Sequence, residues 1–400
     1  MTSESSKYAE TGVDVHKKGI EAFKNFTSSG NLFEHSFCPI YKDPEREDYG
    51  RLMHSDGSGS KTVQNVLHYK ITGDSKFLGY TADDTAAMNF GDALSVNAEL
   101  DGFVDYVAIN RFTVPKEIFL EALGKRFGQL LETYARHGIN IPFMGGETAD
   151  LPDQVRTVDV SGTVSGHVKL SEAITGEEIR SGDVIIGLSS DGQARWEDER
   201  NSGIMSNGLT LARHCLMIPD YGELFQIRDP RNPKSVYYGK FKTDQYLSDL
   251  GMTVGEAIIS PTRQFGIVMK NLTKIYGKNI HGIVHNTGGG QTKCLRIGKN
   301  YHFIKDNLLE PPPIFHLIQQ ESGEDWYNMH QDFNMGIGVD LIVPENIERN
   351  IIQLIRSNGI GAQRTGYVEE SKDTTRRDNG NMLTIKSKFG EFEYPEPKKE

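Results

Sequence analysis

The chain has 400 residues, 37% hydrophobic and 25% charged, with a formal net charge of −11. That is material for two or three globular domains, and the acidic balance argues against a nucleic-acid-binding surface as the main role while leaving room for a few local phosphate donors. Cys38, Cys215 and Cys294 lie far apart with no CxxC spacing, which argues against a zinc or disulfide framework and for a reducing cytoplasm. The opening MTSESSKYAE lacks the basic-then-apolar pattern of a signal peptide, and no apolar run approaches the ~18 residues of a membrane span.

In chain order, Met1–Ser6 is small and polar and is expected to fray. Asp14–Phe26 carries Val15, Ile20, Phe23 and Phe26 at helical spacing. Leu52–Tyr69 reads as a strand edge that enters an Asp-Gly turn and leaves it again. Phe77–Val96 is Ala-rich and helical, with Asp84 and Asp92 eight residues apart and so on roughly one face. Phe103–Phe112 reads as a strand. Pro115–His137 is the clearest helix, with Pro115 in its first turn, a stripe from Ile118 to Tyr134, and Gly138 as its stop. Ile141–Met144 is a short strand feeding Gly145-Gly146, and Val158–Val168 alternates as a half-buried strand does.

The pattern breaks at Lys169–Ser181, dividing the chain into 1–169 and 170–400. Beyond it, Val184–Leu188 and Gly336–Val343 read as strands, Gln193–Ile204 as a polar inserted loop, and Leu209–Leu216, Pro261–Tyr276 and Pro344–Ser357 as helices, with Gly359 as the last stop. Phe389–Glu400 is a charged, loosely held tail. The class is α+β, with two α/β domains.

Four glycine-bearing phrases carry the chemistry. Asp56-Gly57-Ser58-Gly59-Ser60-Lys61 is not a Walker A loop, because Ser60 and Ser55 stand where glycines are needed, and the Rossmann fingerprint fails at Thr62. Two readings stay open: a hairpin turn with a solvated Lys, or Asp56 on a metal with Lys61 on phosphate. Asp84 and Asp92 are solvated helix carboxylates or Mg²⁺ ligands bordering a buried face. Gly145-Gly146-Glu147 is a strand-ending turn or a metal carboxylate on a rigid element. Ser206-Asn207-Gly208 combines a helix N-cap with a phosphate site, which are compatible. His285 is a core histidine or a proton carrier, and Gly288-Gly289-Gly290 beside it admit a ligand close to the backbone.

In this order the phrases resemble the aminoimidazole ribonucleotide synthetase (phosphoribosylformylglycinamidine cyclo-ligase) family over roughly Tyr8–Glu370. Tyr8-Ala9-Glu10-Thr11-Gly12-Val13-Asp14 is similar to the family's opening, and Phe333-Asn334-Met335-Gly336-Ile337-Gly338 to its Phe-Asn phrase. The resemblance implies a homodimer paired through N-terminal sheets, with ATP near that interface and a small ribonucleotide as the other substrate. It further implies catalytic His285 and Lys61, and nucleotide contacts from Asp56, Gly57, Gly59, Lys61, Asp84, Gly145, Gly146 and Glu147. Ser206, Asn207, Gly288, Gly289, Gly290 and Asn334 would meet the substrate, and Mg²⁺ would sit on Asp92 with Asp56 and Glu147.

The chain departs from the family in three places. Ser36–Tyr41 replaces a glycine-rich loop, Gly91 stands where the family has Asn, and Met205 stands where it has a site histidine. His54, Arg195 and Arg200 are candidates to replace that histidine. These departures keep two other readings open, a relative acting on a different amide or phosphate acceptor and a non-catalytic nucleotide-binding homologue.

Overall fold

The computed structural model describes residues 6–14, 19, 22–23, 29–224, 236–373, 375 and 379–395. Most of the helix expected over Asp14–Phe26 lies outside those residues, and so does the chain beyond Pro395.

The first half builds a five-stranded sheet from β1 (Tyr41–Lys42), β2 (Tyr49–Gly57), β3 (Glu99–Ile109), β4 (Phe143–Asp150) and β5 (Val158–Lys169), in the order β1-β2-β5-β3-β4. Only β3 and β4 pair in parallel. β5 buries its alternate residues from Val158 to Val168, as its period-2 pattern requires. Helix α1 (Lys61–Thr72) follows β2, α2 (Lys76–Leu94) packs on β2 and β5, and α3 (Lys116–Arg136) packs on α2. A Cβ on Gly79 would stand 3.0 Å from the Ala122 carbonyl oxygen, so the glycine lets these two helices close up. Every residue of α2 from Phe77 to Leu94 is buried.

The second half builds a seven-stranded sheet, in the order β11-β13-β6-β14-β12-β15-β16. Its strands are β6 (Val184–Ser189), β11 (Gly282–His285), β12 (Tyr301–Lys305), β13 (Ile337–Val343), β14 (Ala362–Glu370), β15 (Met382–Ser387) and β16 (Gly390–Tyr394). Two short ladders join β7 (Asp191–Gly192) to β8 (Asn201–Ser202) and β9 (Tyr246–Leu247) to β10 (Met252–Thr253). Helices α4 (Leu209–Leu216), α5 (Val254–Ile259), α6 (Gly266–Tyr276), α7 (Pro313–Ser322), α8 (Trp326–Asp332) and α9 (Glu348–Ser357) complete it. The strands change sheet between Lys169 and Val184, the stretch in which the proposed division at 169/170 falls. One apolar core nevertheless continues across it, from Leu52, Phe103 and Phe127 to Val184, Leu341 and Ile351.

Four expectations change. After Gly57 the chain enters α1 rather than a second strand, because Val63, Val66 and Leu67 follow i, i+3, i+4 spacing and turn one face inward. Gly145 and Gly146 lie within β4, not beyond it, and a Cβ on Gly146 would overlap the Asp105 carboxylate. The helix expected from Pro261 starts only at Gly266, the preceding residues being drawn into contacts with α2. The supposed tail supplies β16, where Tyr394 is buried and stacks on Tyr327 at 4.3 Å.

Candidate active site

Asn89 of α2 fixes the end of β2 by bonding both backbone groups of Asp56. Its Nδ2 donates to the Asp56 carbonyl at 3.0 Å, and its Oδ1 accepts from the Asp56 N–H at 3.1 Å. The turn then delivers Lys61 to the first position of α1, fully buried. Its Nζ donates to Asp84 Oδ1 at 2.8 Å and to the Ser260 carbonyl, so it is not a solvated lysine. Thr262 adds its N–H at 3.0 Å and its hydroxyl at 2.6 Å to the same carboxylate oxygen. Burial pulls the Lys61 ammonium below its ordinary range, with the Asp84 charge opposing it. Asp84 Oδ2 has no partner.

Two turns further along α2, Asp92 meets two imidazoles. His285 Nδ1 lies 2.9 Å from its Oδ1 and His54 Nε2 lies 3.4 Å from its Oδ2. Burial alone would raise the Asp92 carboxyl; Lys293 and the two histidines outweigh it and hold the group below the usual carboxylate range. For His54 burial lowers the imidazole, but Asp92 more than compensates, so it is raised. His285 is fully buried, and its Nε2 has no partner. A Cβ on Gly91 would stand 2.5 Å from His285 Cε1 and Nδ1, so the imidazole leaves no room for a side chain there.

The glycine loop meets the Ser206–Gly208 phrase, which in turn meets the Asp56–Lys61 turn. Asn207 Oδ1 lies 3.4 Å from where a Gly288 Cβ would be, and the Ser206 carbonyl 3.6 Å from where a Gly59 Cβ would be. Gly290 has φ +49°, and a Cβ there would strike the Phe333 carbonyl at 2.2 Å, so only glycine fits. Ser206 Oγ bonds Thr262 Oγ1 at 2.9 Å, and Ser60 Oγ bonds Thr210 Oγ1 at 2.8 Å. Lys293 Nζ donates to Thr287 Oγ1 at 2.7 Å. Three of the four phrases thus meet: the Asp56–Lys61 turn, Ser206–Gly208 and His285–Gly290. Asn207 is not the helix cap; Gly208 holds the N-cap position of α4, and Asn207 Nδ2 is buried without a partner. Asn334 is turned into the scaffold, where its Nδ2 donates to Ser190 Oγ and the Gly203 carbonyl.

The fourth phrase stays apart. The ladder row Asp56–Gly162–Asp105–Gly146 puts Glu147 one residue out of step with Asp56, on the opposite sheet face and three strands away, about 14 Å at ~4.8 Å per strand. Both residues are exposed, while Asp92 is buried with each oxygen facing an imidazole. Within one copy of the chain Asp92, Asp56 and Glu147 therefore do not converge, and no group of three or more His, Cys, Asp or Glu able to hold a metal occurs among the described residues. Arg195 and Arg200 are exposed, which leaves His54 as the one histidine substitute that reaches the site. Thr262, Asn89 and Lys293 were not singled out in the sequence; nothing in their local spacing sets them apart.

The inserted loop serves another cleft. Glu197 forks onto Arg263, Asp198 faces Arg126 at 3.4 Å and Glu199 bonds Lys76, roofing a cavity of about 620 Å³ beside α2 and α3.

Residues 180–379 match the family described as AIR synthase related protein, C-terminal domain. The chain is 33% identical over 340 residues to the phosphoribosylformylglycinamidine cyclo-ligase of Methanocaldococcus jannaschii, covering 85% of this chain and 83% of the relative. It is 33% identical over 370 residues to that of Methanococcus vannielii, covering 91% and 92%. The chain belongs to the phosphoribosylformylglycinamidine cyclo-ligase family. A solved HypE–HypF complex matches in fold, with a TM-score of 0.53 at 12% identity over 95% of this chain and 97% of that one. In this cyclo-ligase family member the three converging phrases sit at the junction of the two sheets, and no helix among the described residues is long and apolar enough to cross a membrane.

Proposed function

We propose that the protein closes the imidazole ring of aminoimidazole ribonucleotide from formylglycinamidine ribonucleotide, consuming ATP as its magnesium complex and releasing ADP and phosphate, in purine biosynthesis. The observation that carries this reading is the meeting of Gly59, Asn207, Gly288 and the His285–Asp92 pair in a chain of cyclo-ligase descent.

The formyl oxygen attacks the γ-phosphorus of ATP and ADP leaves, so that the carbon carries phosphate rather than hydroxide as its leaving group. The amidine nitrogen attacks that carbon, phosphate departs and the ring nitrogen gives up a proton. With Nδ1–H directed at Asp92, His285 keeps its unpartnered Nε2 as an acceptor for that proton. The Asp56–Ser60 turn and Gly288–Gly290 supply the close backbone approach that phosphates need, and Lys61–Asp84 holds the first of them in place. Mg²⁺ bound with the nucleotide would offset charge on its phosphates.

The homodimer belongs to the same proposal. Met53, Val104, Tyr106 and Met144 leave an apolar outer face on the first sheet, with Glu147 on that face beside Tyr106. Three buried free thiols suit a cytoplasmic setting. The test is ADP release by purified protein with Mg-ATP, with and without formylglycinamidine ribonucleotide, alongside an assay for the aminoimidazole product. ADP and product should appear together and only with that substrate; substrate-independent ADP release, or none, refutes the reading.

A further inference from the structure

Asp92 and His54 make an arrangement that the proposed reaction leaves unexplained. A carboxylate bonded at one oxygen still turns about its Cβ–Cγ bond. Asp92 has a hydrogen bond at one oxygen, from His285 Nδ1 at 2.9 Å, and a longer ion-pair contact at the other, from His54 Nε2 at 3.4 Å, and is 6% exposed. His54 projects from the inner face of β2, level with Val164 and Phe103. Its Nδ1 is buried without a hydrogen bond of regular geometry, and Asn89 lies beside the ring. Met205 is buried with its Sδ 3.2 Å from where a Gly338 Cβ would be. The same Gly338 position abuts Phe265, whose ring faces His285 at 6.2 Å.

Resting on the cyclo-ligase reading, we propose that Asp92 serves these two imidazoles rather than a metal ion, and that His54 is a positioning residue acting on His285 through Asp92. Pinning the second carboxylate oxygen fixes the plane of Asp92. That plane sets the direction of the His285 Nδ1–H bond, and with it the direction in which Nε2 points. Partners one step removed from a reacting group contribute to activity in this way without touching substrate.

The experiment is steady-state kinetics on the full chain as wild type, H54L, H54Q and D92N, titrating both substrates and Mg²⁺, with a melting curve for each. Leu keeps bulk without a donor; Gln restores a donor near the place of Nε2. H54L should lower kcat about 10- to 100-fold, with both KM values within about twofold. H54Q should recover most of the loss, and D92N should lower kcat without raising the Mg²⁺ concentration for half-maximal rate. A severalfold rise in that concentration for D92N makes Asp92 an ion ligand and overturns the proposal. So does H54L with wild-type kcat, or H54Q as impaired as H54L with an equally lowered melting temperature. A wild type that forms no product from this substrate overturns the cyclo-ligase reading and this inference with it, whereas an active wild type with an unimpaired H54L overturns this inference alone.

Discussion

Gly91→Ala sets two effects of opposite sign against each other. In the interior of a helix the change should stabilise by about 1 kcal/mol, since Ala is the better helix former. Here the new methyl would lie 2.5 Å from Cε1 and Nδ1 of His285 and 3.2 Å from Nε2. Ordinary carbon contacts need about 3.5 Å, so the ring must retreat by about 1 Å. It has no free space for this, being fully buried against Phe265. Overpacking of this kind costs about 1–3 kcal/mol, and stretching the 2.9 Å bond to Asp92 forfeits part of a charge-assisted bond of about 1.5–3 kcal/mol. The net expectation, with the propensity gain subtracted, is a loss of about 1–3 kcal/mol in place of a gain. Activity should suffer more, since a 1 Å misplacement of a reacting group costs about 100-fold. Denaturant unfolding and kcat on the same preparation measure both. A variant that is more stable than wild type and fully active would mean that the imidazole does not rest on Gly91, and the geometry assigned to His285 would fall.

Lys61→Met strands Asp84 in a dry site and should cost about 3–5 kcal/mol of unfolding free energy; a loss below about 1 kcal/mol would show that the pair is solvated. Asp332, buried with Oδ2 unpartnered, has its carboxyl pushed up to about 8 by burial first and then by Glu324 and Asp325. Its folded value lies above the unfolded one, so its contribution is intact below about pH 4 and is lost as pH rises towards 8. Asp332→Asn should therefore gain several kcal/mol on wild type at pH 8 and much less at pH 5. An equal offset at both pH values in urea titrations would dismiss the titration. Met53→Lys, on the outer sheet face, should turn a dimer into a monomer by sedimentation equilibrium with the melting temperature little changed; an unaltered mass would remove that face from the interface.

The helix stripe of Pro115–His137 and the alternation of Val158–Val168 were legible because each element is half-buried, and one wet face gives a period. α2 could be read as a helix, but not as one enclosed on every side, since its small residues show no polar stripe. β12, β14 and β16 escaped notice because polar residues such as His302, Arg364 and Glu391 interrupt their apolar runs. In the site, the phrases themselves were visible, but not their pairings. Lys61 meets Asp84, 23 residues on, and His285 meets Asp92, 193 residues back, and only the fold makes those separations small. Glu147 misled because a short phrase shows neither which face of the strand a residue takes nor how many strands separate it from Asp56.

Helix α2 is gripped along its whole length from Phe77 to Leu94, so it can neither slide nor roll without breaking the core. It therefore works as a ruler. At ~1.5 Å per residue, the eight residues from Asp84 to Asp92 set the Lys61 cluster and the imidazole cluster about 12 Å apart. Substitutions between those marks change neither the spacing nor the angle. One added residue would swing Asp92 by about 100° and away from His285, leaving both chemistries present and no longer facing a common ligand.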